Sequence, residues 1–302
     1  LPPAQPMTEK TIALITVPLS QEAREQLIKR FPKVDFDFHE LKQGETLDQA
    51  SWQQAEVLYT GSLLPGQGQA PQLGWIQLNA TDFGEHAQAT ALQKDGLKIT
   101  TMRGVNAAEV AEHALALMLG LAHNLPKLFT HQSRSNWPAR RRERFQPTMM
   151  RGKTVGILGF GKVGRALAAM LQGLEVRILA SKLDLIKATE EDFQIAETTE
   201  NGPSLVERMY PGEAAGALLK DSDFAVVTLP LMEKTRGLIG EQQLAVMKAE
   251  AFLVDVSRGG IVDHAALIEA LEAGKIAGAG LDVFPEEPLE ADSPLWEMPN
   301  VI

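Results

Sequence analysis

Three glycines stand at the spacing Gly-x-Gly-x-x-Gly in Gly159-Phe160-Gly161-Lys162-Val163-Gly164. The spacing alone says little. Here it follows the apolar run Thr154-Val-Gly-Ile-Leu158 and opens the helical segment Arg165 to Gln172, and a strand, a glycine turn and a helix in that order make a cradle for phosphate. The first glycine permits a tight turn, the second lets a pyrophosphate approach the backbone, and the third lets the helix pack closely on the strand. The free amides and the dipole at the helix start then attract the negative charge. The plain alternative is a glycine turn that holds no ligand, and the strand and helix on either side argue against it.

In a dinucleotide site the next strand normally ends in an acidic residue that takes the ribose hydroxyls of NAD. Here Glu175-Val-Arg-Ile-Leu179 runs into Ala180-Ser181-Lys182. A hydroxyl and an ammonium suit a 2′-phosphate better than a bare ribose, so NADP is preferred over NAD. Asp184 could fold back as a rival ribose ligand, and Lys182 could simply be solvated. Further on, Leu253-Val-Asp-Val-Ser257-Arg258-Gly259-Gly260-Ile-Val-Asp263 ends a strand in a glycine turn carrying one arginine. Ligands of an open α/β sheet bind beyond the carboxyl ends of its strands. A guanidinium there can grip the carboxylate of a 2-keto acid with two prongs and polarise the neighbouring ketone. Gly280-Leu-Asp282-Val-Phe-Pro285-Glu286-Glu287-Pro288 then places one carboxylate at a strand end and others between prolines.

These groups need strands to end in register and helices to cover them. Thr11–Val17, Val34–Phe38, Glu56–Tyr59 and Trp75–Leu78 read as strands, and Gln21–Arg30 reads as a helix with Ala23, Leu27 and Ile28 on one side. A turn rich in Gly, Pro and Gln, Gly61 to Pro71, separates the third strand from the fourth. A long helix from Asn106 to Ala122 follows, with Val110, Ala114, Leu117, Met118 and Leu121 at helical spacing. Thr130 to Met150 is polar, with Arg140, Arg141, Arg142 and Arg144 close together. It reads as a solvated arm, with anion binding as the alternative. Strands resume at Thr154–Leu158, Val176–Leu179, Phe224–Leu229, Phe252–Val256 and Ala279–Val283. Strands alternating with helices imply mainly parallel sheets. The acidic stretch Glu190 to Glu200 reads as a surface excursion.

The 302 residues suffice for two domains, and 44% apolar with 23% charged residues is ordinary for a globular protein. A net charge of -10 argues against nucleic acid and against an anionic membrane as partners. The absence of cysteine removes disulfides, thiolate metal sites and cysteine nucleophiles, leaves no metal site in prospect, and fits a reducing cytoplasm. Leu1 to Pro6 reads as a loose arm rather than a signal peptide. The apolar run Ala114 to Ala122 is too short to span a bilayer.

The chain resembles the D-isomer-specific 2-hydroxyacid dehydrogenase family, which includes phosphoglycerate dehydrogenase and glyoxylate/hydroxypyruvate reductases. The likeness rests on Trp75-Ile-Gln77, Arg103-Gly104-Val105-Asn106, Val110-Ala-Glu112-His113 and Trp137. After the glycine loop it rests on Leu229-Pro230-Leu231, Thr235-Arg-Gly237, Val256-Ser257-Arg258-Gly-Gly260 and Leu281-Asp-Val-Phe284. The resemblance implies two Rossmann-like, doubly wound parallel-sheet α/β domains. Residues 1–103 and 285–302 would form a substrate domain, with an NAD(P)-binding domain of residues 104–284 inserted in it and the active site between them. It implies an oxidoreductase moving hydride between NAD(P)H and a 2-keto acid, giving a D-2-hydroxy acid, in a homodimer formed through the nucleotide domain and its long helix. Leu229, Pro230, Thr235, Val256, Ser257 and Arg258 would line the cofactor, and Asp282 would hold the nicotinamide carboxamide. Arg258 would bind and polarise the substrate. Glu287, with Glu286 as the alternative at a variable position, would raise the pKa of a histidine acid, as a carboxylate beside an imidazolium does.

Two departures stand out. The family histidine lies in a segment Asn-Val-x-x-Thr-Pro-His, of which Asn300-Val301-Ile302 is the opening. The expectation is that the histidine follows. None of His39, His86, His113, His123, His131 and His264 replaces it. The alternative is a non-catalytic NAD(P)-sensing protein on the same fold; formate or phosphite oxidation is a further rival. Secondly, where the family has a small residue and a glycine whose amides hold the substrate carboxylate, this chain reads Asn79-Ala80-Thr81-Asp82. An inward Asp82 would repel a carboxylate, so these four residues are where an unusual substrate would be read.

Overall fold

The structure, a computed structural model, describes residues 10–41, 45–80, 94–182 and 205–302. Leu1 to Pro6, Thr81, Asp82, His86, Asp184 and the stretch Glu190 to Glu200 lie outside the described residues. Two compact units divide the chain, Leu1–Arg103 and Gly104–Ile302.

The first unit contains β1 (Thr11–Ile15), α1 (Gln21–Arg30), β2 (Val34–Phe38), α2 (Gln49–Gln54), β3 (Val57–Thr60), β4 (Trp75–Leu78) and β5 (Lys98–Thr100). Its five strands are all parallel in the order β2-β1-β3-β4-β5, one of the two common doubly wound orders. Alternation of side chains along each strand divides the core between two faces. Leu14, Leu58, Ile76 and Leu78 pack on one, and Ala13, Ile15 and Val57 on the other. The Ser20 hydroxyl caps α1 by accepting from the Ala23 N–H at 3.2 Å, and Asp48 caps α2 by accepting from the Ser51 N–H at 2.7 Å.

The second unit contains α3 (Ala107–Ala122), α4 (Leu125–Ser133), α5 (Arg141–Arg144), β6 (Thr154–Leu158), α6 (Lys162–Leu171), β7 (Arg177–Lys182), β8 (Arg208–Pro211), α7 (Ala215–Asp221), β9 (Phe224–Val227), α8 (Glu241–Ala245), β10 (Phe252–Asp255), α9 (His264–Glu272) and β11 (Gly278–Leu281). All six strands are parallel, ordered β11-β10-β9-β6-β7-β8. Every residue of β6 and β9 is buried, because helices cover both faces. The winding reverses between β6 and β9, which opens a crevice at their carboxyl ends.

Residues 285–302, assigned to the first domain with the nucleotide domain inserted ahead of them, pack on the second unit. Val301 bridges Ala279 in parallel, the Ile302 N–H donates to the Ala279 carbonyl at 3.0 Å, and the Leu281 N–H donates to the Ile302 carbonyl at 2.8 Å. Strand β11 would otherwise leave these edge groups unpaired. The arginine-rich stretch, Thr130 to Met150, supplies the end of α4, all of α5 and the turns after them. Arg140 pairs with Glu143, and the Arg141 guanidinium lies 4.7 Å from the centre of the exposed Trp137 ring. Among the described residues no helix is long and apolar enough to cross a membrane.

Candidate active site

The glycine loop leaves β6 at the crevice. The Ser181 carbonyl accepts from the N–H groups of Gly159 (3.1 Å) and Phe160 (2.9 Å), and the Thr228 hydroxyl donates to the Gly159 carbonyl at 2.6 Å. Gly159 has φ +102°, and a Cβ there would lie 2.9 Å from the Thr228 carbonyl oxygen. A Cβ on Gly164 would lie 2.6 Å from the Gly159 carbonyl oxygen, whereas one on Gly161 would meet nothing within 4 Å. Two glycines are thus required by the protein's own packing, and the third faces open space. Gly161 is also the N-cap of α6 and has no side chain to satisfy the first amides of the helix. A bare helix start behind an open glycine fits the pyrophosphate of a dinucleotide. Phe160 is buried, Lys162 and Val163 are half-buried, and the Lys162 stem lies across Gly104.

Strand β7 continues past the expected end at Leu179 and carries Ser181 and Lys182 beside the loop, with Leu158 opposite Ser181. Ser181 is buried and Lys182 half-buried. Beyond β9, Leu229 is buried and Pro230 exposed. The Thr235 hydroxyl accepts from the Met232 N–H at 2.8 Å and donates to the Pro230 carbonyl at 2.6 Å, so it shapes this loop from within.

Arg258 sits on the turn after β10, next to the buried Val256 and Ser257. Its Nη1 donates to the Ser257 carbonyl at 2.7 Å. Gly259 joins this turn to the loop that carries Glu287. A Cβ on Gly259 would collide with the Phe284 carbonyl and lie 2.8 Å from the Pro285 nitrogen. Glu287 is exposed, and its Oε1 accepts from the Phe284 N–H at 3.1 Å; Glu286 is exposed on the same loop. Asp282, just beyond β11, lies 3.3 Å from His113 Nε2 on α3. Helical spacing gave no reason to couple that histidine to a strand end in another part of the chain. His264 packs edge-on against Phe284; burial lowers its pKa, which keeps it neutral near pH 7.

Asp255, the last residue of β10, is a site group that the sequence reading did not single out. It is 1% exposed. Its Oδ1 accepts from the Ser257 N–H at 3.0 Å and from the Ser257 hydroxyl, while Oδ2 is buried with no partner among the described residues. Burial, opposed by the two Ser257 hydrogen bonds and reinforced by the charge of Asp282, pushes its pKa up to about 6. A carboxylate closing an otherwise apolar strand was the available signal. In the first unit, the Tyr59 hydroxyl donates to Asn79 Oδ1 at 2.9 Å, and the Ala80 carbonyl accepts from the Met102 N–H at 2.8 Å.

The family model for the D-isomer specific 2-hydroxyacid dehydrogenase, NAD binding domain, matches residues 115–302. The chain is 32% identical over 303 residues to a glyoxylate reductase of Aeropyrum pernix, covering 95% of this chain and 83% of that protein. It is 36% identical over 218 residues to a D-3-phosphoglycerate dehydrogenase of Archaeoglobus fulgidus, covering 72% of this chain and 38% of that one. A glyoxylate reductase of Korarchaeum cryptofilum is 35% identical over 238 residues, a match covering 77% of this chain and 66% of the relative. A D-isomer specific 2-hydroxyacid dehydrogenase from Xanthobacter autotrophicus Py2, solved in complex with NADPH and MES, superposes with a TM-score of 0.76 at 26% identity, covering 97% of this chain and 87% of that one. The chain belongs to the D-isomer specific 2-hydroxyacid dehydrogenase family.

Asp255 makes stability depend on pH. Its folded pKa of about 6 lies above the ordinary 3.8, so its contribution is full below about pH 4 and is lost as pH rises through 6, a swing of roughly 3 kcal/mol. Asp255→Asn, which cannot ionise, is therefore expected to gain Tm relative to wild type between pH 4 and pH 7.5. A Tm difference that does not change with pH refutes the shift. Gly259→Ala is expected to destabilise the protein by about 1–3 kcal/mol in urea unfolding, because the added methyl must part the two loops. An unchanged midpoint would contradict the close packing.

Proposed function

We propose that this protein is an NAD(P)H-dependent reductase of 2-keto acids, forming D-2-hydroxy acids in a reversible reaction. The observation that carries the reading is the packing of the Arg258 turn on the Glu287 loop through Gly259, in a unit whose crevice holds a pyrophosphate cradle. The names of the relatives, glyoxylate reductase and phosphoglycerate dehydrogenase, favour this over a non-catalytic nucleotide sensor.

Arg258 grips the substrate carboxylate with two parallel N–H groups, and its positive charge offsets the charge that develops on the ketone oxygen. Asp282 would accept from the nicotinamide carboxamide. When bound, the reduced nicotinamide supplies the hydride that adds to the ketone carbon. Glu287, anchored by one oxygen to the Phe284 N–H, keeps a second oxygen that would pair with a protonated imidazole, the group that would give its proton to the new alkoxide. Asn79, Ala80, Thr81 and Asp82 read the rest of the substrate. Ser181 and Lys182 favour NADP over NAD, since no carboxylate ends β7 to take a ribose hydroxyl. The reading includes a homodimer, supported by the apolar Leu125, Leu128 and Phe129 that α4 leaves exposed, and a cytoplasmic location, supported by an acidic, cysteine-free chain.

Turnover of glyoxylate and hydroxypyruvate with NADPH and with NADH tests both halves. Arg258→Ala is expected to lower kcat/KM by about 10²-fold or more; an active wild type and an equally active variant would refute the site. Lys182→Ala is expected to raise KM for NADPH about tenfold and leave that for NADH in place. An equal effect on both cofactors would overturn the 2′-phosphate assignment.

A further inference from the structure

We propose that Asp255 is the positioning residue of the Arg258 turn, holding through Ser257 the place at which the guanidinium is presented. The proposal rests on the reading of Arg258 as the substrate-binding group. The connection is a short relay. Asp255 Oδ1 takes both donors of Ser257, its N–H at 3.0 Å and its hydroxyl. Two donors on one acceptor fix the orientation of Ser257, and the Ser257 carbonyl in turn accepts from Arg258 Nη1 at 2.7 Å. The backbone carbonyl of Asp255 also accepts from the Asp282 N–H at 3.0 Å, so one residue ties together the strand ends that carry Arg258 and Asp282.

A carboxyl that is 1% exposed, with one oxygen buried and unpartnered, carries a desolvation cost that an apolar residue would avoid. The hold on Ser257 is what that cost obtains. Among the described residues, Asp282 acts on it from just beyond β11, His113 on α3 faces Asp282, Arg258 lies on the turn itself, and β9 contributes the apolar Phe224–Val227.

The test measures Arg258 directly. Phenylglyoxal modification of Arg258, followed at pH 8 by peptide mass spectrometry, is compared in wild type, Asp255→Ala, Asp255→Asn and Ser257→Ala, alongside KM and kcat for glyoxylate. Asp255→Ala is expected to speed modification about fivefold and to raise KM for glyoxylate more than it lowers kcat. Asp255→Asn keeps an acceptor oxygen and is expected to restore the wild-type rate. Ser257→Ala removes one donor and is expected to shift the rate in the same direction by less, and it carries the test should Asp255→Ala fail to fold. Modification at the wild-type rate in folded Asp255→Ala, or in Ser257→Ala where it alone folds, overturns the proposal. Faster modification together with a wild type that reduces no 2-keto acid would leave the positioning role standing and remove the reductase reading.

Discussion

The second unit depends on a close approach of backbone to backbone where the strand order reverses. Gly159 lies against Thr228 and Leu229, and Gly164 lies against the carbonyl of Gly159. A side chain at Gly159 would push the loop away from Thr228 and Leu229, and one at Gly164 would push α6 away from the loop and Ile157. The bare helix start would then no longer face the crevice. Parallel pairing of β6 with both β7 and β9 holds the three strand ends level, so that the loop, Ser181 and Thr228 meet. The open helix start is therefore a property of backbone geometry first and of side chains second.

A chain with net charge -10 cannot rely on its overall field to attract an anionic cofactor or acid. Attraction has to be local, because screening confines charge effects to about 10 Å. Lys162, Lys182 and Arg258 stand at the loops where the strands end, and their reach is set by how those loops are held. The Arg258 turn is held from two sides, by the collision-limited contact of Gly259 with Phe284 and by the sealed carboxyl of Asp255. Both are paired with something costly. Gly259 adds freedom to the unfolded chain, and Asp255 is a carboxyl out of water.

Much of the architecture was legible in the residues. Strands with continuous apolar runs, such as Thr154–Leu158 and Phe224–Val227, declared themselves because both faces are buried. Strands β5 and β8 did not. Lys98–Thr100 and Arg208–Pro211 are short and largely exposed, with no alternating apolar run, so tertiary pairing rather than local pattern makes them strands. The glycine loop and the Arg258 turn stood out by residue type and spacing, whereas the roles expected of Asp282 and Glu287 came from the family resemblance. His113 and Asp255 did not stand out: one is coupled to the site only by folding, and the other is hidden at the end of an apolar strand.

The sequence by itself determined that this is a cysteine-free α/β chain with a phosphate cradle, an arginine turn and a carboxylate loop, since glycine spacing, hydrophobic period and residue type are local properties. Only the tertiary structure decided that the tail lies along β11, that Gly259 brings the arginine turn against the carboxylate loop, and that Asp255 stands sealed beneath it. Those are contacts between segments far apart in the chain. They are settled by which backbone edges need partners and which side chains can be spared, and no single window of sequence carries that information.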